Sequence, residues 1–189
     1  MRSGIWYGID PAPTGGHMVR VEIFGGSVQS VTRVSDIDYD ANKVVIEDPA
    51  GVLFSRTNTI LWSLTCRTAG EFFGLHSEIA MYLKPSEARK WLAHKAGQPQ
   101  APSKDSEVKE CLSILFLEGC FQRGLQCKRV KTEKHNANCP LCHGTGWRRE
   151  PGLLHELSSP HLRDAFVVAC AAADGAYSQP YHGITVKEF

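Results

Sequence analysis

Residues 5–34 read IWYGIDPAPTGGHMVRVEIFGGSVQSVTRV. The apolar run Ile5–Ile9 ends at Asp10-Pro11 and an Ala-Pro-Thr-Gly-Gly segment, which predicts a buried strand running into a turn. From His17 to Phe24, Met18, Arg20 and Glu22 alternate with Val19, Val21 and Ile23, and the run stops at Gly25-Gly26. Alternation resumes from Val28 to Val34. Two alternating runs joined at Gly-Gly predict an antiparallel hairpin. The chain therefore begins as a sheet.

Working outward, Lys43-Val-Val-Ile-Glu47 is a fourth, β-branched run, broken by Asp48-Pro49-Ala50-Gly51. Ile60, Leu61, Leu64, Ala69, Phe72 and Phe73 fall at helical spacing and predict a helix over about 57–75. Ile79–Leu83 fits a fifth strand. Pro85-Ser-Glu opens a helix to about Ala96, because proline suits a first turn. The connector 97–103 contains two prolines and cannot be helical throughout. Ser106–Cys120 repeats the helical pattern with Val108, Cys111, Leu112, Leu115 and Phe116. Ser159-Pro160 starts a last helix that runs to about Ala173 and stops near Asp174-Gly175. The order β-β-β-β-α-β-α-α-insert-α predicts an α/β or α+β sheet with an antiparallel hairpin on one side.

The chain has 189 residues, 42% of them hydrophobic, enough to bury a core as one domain. No apolar run approaches the roughly 18 residues that would span a bilayer, and residues 1–10 lack the layout of a signal peptide. A cytoplasmic protein with no membrane partner is expected, in the host-cell cytoplasm if the source is a virus. Seven cysteines in a reducing compartment are better read as buried thiols or metal ligands than as disulfides. The formal net charge is +1, but it is unevenly spread. Residues 123–149 hold Arg123, Lys128, Arg129, Lys131, Lys134, Arg148 and Arg149 against Glu133 alone, while both flanking blocks are net acidic. A basic block between acidic ones fits either local contact with a polyanion or a solvated loop.

Four side chains stand at element ends. Asp10 closes the first strand and Glu47 the fourth; His161 and Asp164, three residues apart, share a face one turn into the last helix. Singly, each also fits a turn, a strand terminator or first-turn charge. Jointly, carboxylates held close are costly unless a cation neutralises them, and hard oxygen ligands suit Mg²⁺ or Mn²⁺. A pair of such ions clamps the oxygens of phosphoryl transfer.

These residues resemble the RuvC-type Holliday junction resolvases. Gly-Ile-Asp10-Pro resembles the end of that family's first strand, and Val-Val-Ile-Glu47 the end of its fourth. Lys84-Pro-Ser-Glu-Ala-Arg-Lys-Trp-Leu and Lys104-Asp-Ser-Glu-Val resemble its next strand-to-helix segment and helix start. His161-Leu-Arg-Asp164-Ala-Phe-Val-Val-Ala resembles its closing helix. The match covers about residues 4–119 and 158–174. It implies an RNase H-like fold: a mixed five-stranded sheet, antiparallel hairpin plus parallel strands, flanked by helices. It also implies a homodimer that nicks two strands of a four-way DNA junction symmetrically, using Mg²⁺ or Mn²⁺ held by Asp10, Glu47, His161 and Asp164, and leaving 5′-phosphate and 3′-hydroxyl ends. Asp48 points to the opposite strand face from Glu47 and ranks below it. Arg89 and Lys104 are expected phosphate contacts. The chain departs from the family in the spacing of Phe54 after Glu47, in the longer proline-rich connector, and above all in residues 120–157, which have no counterpart in the bacterial enzymes.

Within that insert, Cys139-Pro-Leu-Cys142-His-Gly presents two thiolates at knuckle spacing. Tetrahedral Zn²⁺ needs two more ligands. Cys127 and His135 are the expected ones, with His143 in reserve and Cys120 and His155 also within reach. A redox cysteine pair and a glycine turn with incidental thiols are the alternatives. A small segment without a core is commonly ordered by metal, and a zinc-ordered finger carrying Arg129, Lys131, Arg148 and Arg149 is expected to grip DNA phosphates. The expected organisation is one nuclease domain over 1–189 with an inserted segment at 120–157.

Three other readings stay open at this stage. An RNase H-like nuclease could act on other branched DNA or on RNA–DNA hybrids. A non-catalytic zinc-bearing DNA-binding module could use a relic of the fold. Gly-Ile-Asp-Pro-Ala-Pro-Thr-Gly also fits the phosphate loop of an actin-like ATPase, although the chain is too short for that fold's two lobes.

Overall fold

The computed structural model describes residues 1–11, 17–48, 56–76, 78, 80–116, 121–122, 125–126 and 156–176; side chains 56–58, 121–122 and 125–126 are outside the description. Strands β1 (Gly4–Asp10), β2 (His17–Phe24), β3 (Ser27–Val34) and β4 (Lys43–Glu47) come first, followed by helix α1 (Arg56–His76) and strand β5 (Met81–Leu83). Helices α2 (Pro85–Ala96) and α3 (Asp105–Phe116) come next, then the short strands β6 (Phe121–Gln122) and β7 (Leu125–Gln126), then helix α4 (Pro160–Ala173). Strands β1 to β5 form one sheet in the order β3-β2-β1-β4-β5. β1 pairs antiparallel with β2 and parallel with β4; β2–β3 is antiparallel and β4–β5 parallel. This is the mixed sheet expected from the sequence.

The β6–β7 hairpin was not expected: Phe121 pairs with Gln126 and Gln122 with Leu125. Its signal in the sequence is only two residues per strand around Arg123-Gly124.

Strand parity divides the core in two. Tyr7, Ile9, Met18, Val44, Ile46 and Tyr82 face one side, where α1 covers them with Phe72 and the partly buried Ala69. Trp6, Val19, Val21, Ile23, Val45 and Leu83 face the other, under α2, α3 and α4. Val44, Val45 and Ile46 are all fully buried, as a central strand covered on both faces requires. The covering stripe of α1 is narrow, and Ile60 and Phe73 lie exposed.

Helix α4 lies at the centre of its layer. Every side chain from Ala165 to Ala173 is buried. Five of these are consecutive small residues, Ala169 to Ala173, which lets the sheet below and α2 above approach closely. Gly8 sets the contact distance to β1: a Cβ there would stand 2.0 Å from the Ala165 carbonyl oxygen and 2.9 Å from the Ala169 Cβ. The isolated glycine inside an apolar strand thus marks a close backbone approach. At its start, Ser159 caps α4 by accepting a hydrogen bond from the Leu162 N–H at 3.2 Å, with Pro160 in the first turn. Arg163 ties that turn to α3, donating to Asp105 at 2.9 and 2.8 Å and to the Leu157 carbonyl at 2.6 Å. At the far end, Asp174 accepts from the Trp91 indole at 3.0 Å and pairs with Lys95 at 2.7 Å and the Met1 amino group at 3.0 Å. Both ends of α4 are therefore pinned, and the register between its first turn and the strand ends is fixed. Among the described residues no helix is long and apolar enough to cross a membrane.

Candidate metal centre

β1 and β4 run parallel side by side, so Asp10 and Glu47 emerge at the same edge of the sheet. Parity turns both toward α4: Asp10 shares the face of Trp6 and Gly8, Glu47 that of Val45. The close approach at Gly8 and the capped, proline-led start of α4 bring Asp164 over this edge. Carboxylate oxygens of Asp10, Glu47 and Asp164 lie within 4.8 Å of one another, Asp10 buried and the others half-buried. Asp48 leaves the strand end, its N–H donating to the Leu83 carbonyl at 2.9 Å, and is not part of this group.

His161, one turn earlier on α4, does not join the three acids as a fourth converging atom. Its Nδ1 lies 2.7 Å from Asp10 Oδ2, and its ring stacks on that of His17, with centroids 4.9 Å apart and planes 11° from parallel. Arg89 of α2 reaches the other side, its guanidinium donating to both oxygens of Asp164 at 3.3 and 3.2 Å. Arg89, expected against phosphate, is thus paired with an acid of the cluster. Its Nε is buried with no hydrogen-bond acceptor among the described residues. Lys104 is exposed just before α3. Neither the role of His17 nor the Arg89–Asp164 pair follows from the sequence alone. The only available signal for His17 was its place at the start of a strand opposite a strand ending in Asp10.

The electrostatics are those of an uncompensated acidic site. Burial, then the charges of Asp10 and Asp164, push the Glu47 carboxyl up to about 8. Burial also raises Asp10, against the opposing hydrogen bond from His161. Burial, then the neighbouring His161 and Arg33, lower His17. One guanidinium does not balance three clustered carboxylates whose oxygens are hard donors. That is the donor set a small divalent cation fits.

The second metal site expected from the sequence, Cys127, His135, Cys139 and Cys142, lies outside the described residues. So do Arg129, Lys131, Arg148 and Arg149 of the basic finger, and Phe54. Among the described cysteines, Cys66 is exposed and Cys111 and Cys170 are buried free thiols within the helices.

No protein-family model matches the sequence, and no curated protein matches it either. Solved structures do resemble the fold. The chain is similar to Thermus thermophilus RuvC in complex with a Holliday junction substrate, at 16% identity and a TM-score of 0.50, over 93% of this chain and 98% of that one. It is similar to a second Thermus thermophilus RuvC structure at 15% identity and a TM-score of 0.50, over 92% and 98%. The chain has a RuvC-type, RNase H-like fold.

Proposed function

We propose that the protein is a structure-selective endonuclease that resolves four-way DNA junctions by divalent-metal-dependent hydrolysis of phosphodiesters. The observation that carries this reading is the convergence of Asp10, Glu47 and Asp164 at one sheet edge. The RuvC-type fold supports it, since one of the similar structures is a complex with a Holliday junction. Asp10, Glu47 and Asp164 would hold Mg²⁺ or Mn²⁺, with His161 beside them. Bound there, one or two such ions supply Lewis-acid stabilisation of the reacting phosphate and its entering and leaving oxygens. The protein's own part is to keep the acids close despite their repulsion, to hold His161 against Asp10, and to present Arg89 next to the site. Arg89, beside the cluster, and the exposed Lys104, just before α3, would contact DNA phosphates.

Paired symmetric nicks need two such centres, so the working form is a homodimer. In the insert, Cys127, His135, Cys139 and Cys142 bind structural Zn²⁺. The zinc orders a finger whose Arg129, Lys131, Arg148 and Arg149 grip the junction arms in the cytoplasm.

Incubation with a synthetic four-way junction and Mg²⁺ or Mn²⁺ tests the reading; paired symmetric nicks with ligatable ends are expected. Preferential cutting of flaps or RNA–DNA hybrids would move the substrate to another branched or hybrid nucleic acid. Junction binding without nicking under either metal would leave a zinc-bearing binding module. Metal analysis of the purified protein is expected to return one zinc per chain, lost in Cys139→Ser/Cys142→Ser.

A further inference from the structure

His17 starts β2 directly across from Asp10, the last residue of β1. It has the parity of Val19 and Val21, so its ring stands on the α4 side of the sheet. His161 lies over it at 4.9 Å and 11°, within the range of offset-stacked rings. One strand pair therefore supplies two holds on the same imidazole: Asp10 on its edge at Nδ1, His17 on its face. A carboxylate only accepts, so in this contact Nδ1 is the donor to Asp10, and Nε2 is the ring nitrogen that Asp10 does not engage. The hydrogen bond alone does not fix the ring plane, because coupled rotations about Cα–Cβ and Cβ–Cγ can tilt the imidazole while Nδ1 stays within reach of Asp10. The His161 side chain is 52% exposed, so burial does not hold it either.

We propose that His17 is a positioning residue: its stacked ring fixes the plane of His161, so that the imidazole holds one orientation beside Asp10 at the edge of the acidic centre. Its kinetic consequences rest on the nuclease reading above, but its structural content does not.

The test compares His17→Ala, His17→Leu and His17→Phe in the full-length protein. Phenylalanine keeps a flat stacking ring without nitrogen; leucine fills the space without one and serves if the alanine variant fails to fold. At saturating junction and metal, His17→Ala or His17→Leu is expected to slow single-turnover cleavage on the order of tenfold, with junction Kd changed less than about twofold. His17→Phe is expected to recover the rate to within about threefold. NMR of ring-labelled histidine, with His161 identified by its disappearance in His161→Gln, reads the stack directly. The ring-current shift of His161 is expected to vanish in the alanine and leucine variants and persist in His17→Phe. Unchanged His161 signals in His17→Ala, or a phenylalanine variant as slow as alanine, would overturn the proposal. If the wild type cuts no nucleic acid, the nuclease reading fails and the NMR comparison alone decides the role of His17.

Discussion

Asp10 is the residue on which the site turns, since it touches His161, faces Glu47 and Asp164, and is buried. Asp10→Asn keeps its shape and removes its charge. Junction cleavage is expected to fall on the order of a thousandfold or more, while a gel-shift assay shows junction binding retained. Glu47 makes the complementary case. Its carboxyl is pushed up to about 8 by burial and by the two neighbouring acids, so its charge opposes folding while no cation is bound. Glu47→Gln is expected to stabilise the cation-free protein at pH 7 by about 2–3 kcal/mol in urea unfolding. Mn²⁺ is expected to raise the Tm of the wild type, and Glu47→Gln is expected to abolish that rise. The gathering of Asp10, Glu47 and Asp164 at one edge, with His161 beside Asp10, was legible in the sequence because each stood near the point where a core element begins or ends. The partners that hold them, Arg89 on Asp164 and His17 on His161, were not. Such contacts join residues far apart in the chain, and only the packing of α2, α4 and β2 against one another creates them.

Element boundaries followed the sequence closely where there was a local physical marker: Gly25-Gly26 between β2 and β3, Pro85 opening α2, Gly97 closing it in a left-handed conformation at φ 68°. What no local marker conveyed was how tightly α4 lies on β1. Gly8→Ala is expected to cost about 3 kcal/mol in chemical denaturation, because the new methyl meets backbone that cannot rotate away. A loss below about 1 kcal/mol would show that α4 shifts freely. Asp174 secures the other end of the helix. Burial alone would raise its carboxyl, but hydrogen bonds from Lys95, Trp91 and the Met1 amino group outweigh that and hold it far below the usual range. A carboxyl depressed on folding stabilises the native state above its unfolded value, near 3.9, and loses that contribution as pH falls through the folded value. The stability difference between wild type and Asp174→Asn is therefore expected to be constant from about pH 5 to 7 and to shrink below about pH 4. A difference that stays flat down to pH 2 would contradict the depressed carboxyl.

Over the whole molecule, the net charge of +1 is a cancellation between an acidic body and the basic block 123–149. Replacing Arg129, Lys131, Arg148 and Arg149 with glutamine is expected to lower the slope of log junction affinity against log salt by up to about 3–4. An unchanged slope would remove the insert from the DNA interface. The sheet and helices were readable because apolar periodicity reports burial. The insert has almost no such periodicity, and its β6–β7 hairpin rests on backbone pairing that two-residue strands cannot advertise.

The three carboxylates stand at positions 10, 47 and 164, and the helix bearing the last also roofs one face of the sheet. During synthesis, a ribosome that has released every strand of the sheet and two acids still lacks the third acid and the roof. The insert lengthens that interval, since residues 117–159 must emerge first. Any nicked or prematurely terminated product that lacks α4 is chemically incomplete as well as poorly packed. The acidic centre is thus assembled only once the chain has been made through α4.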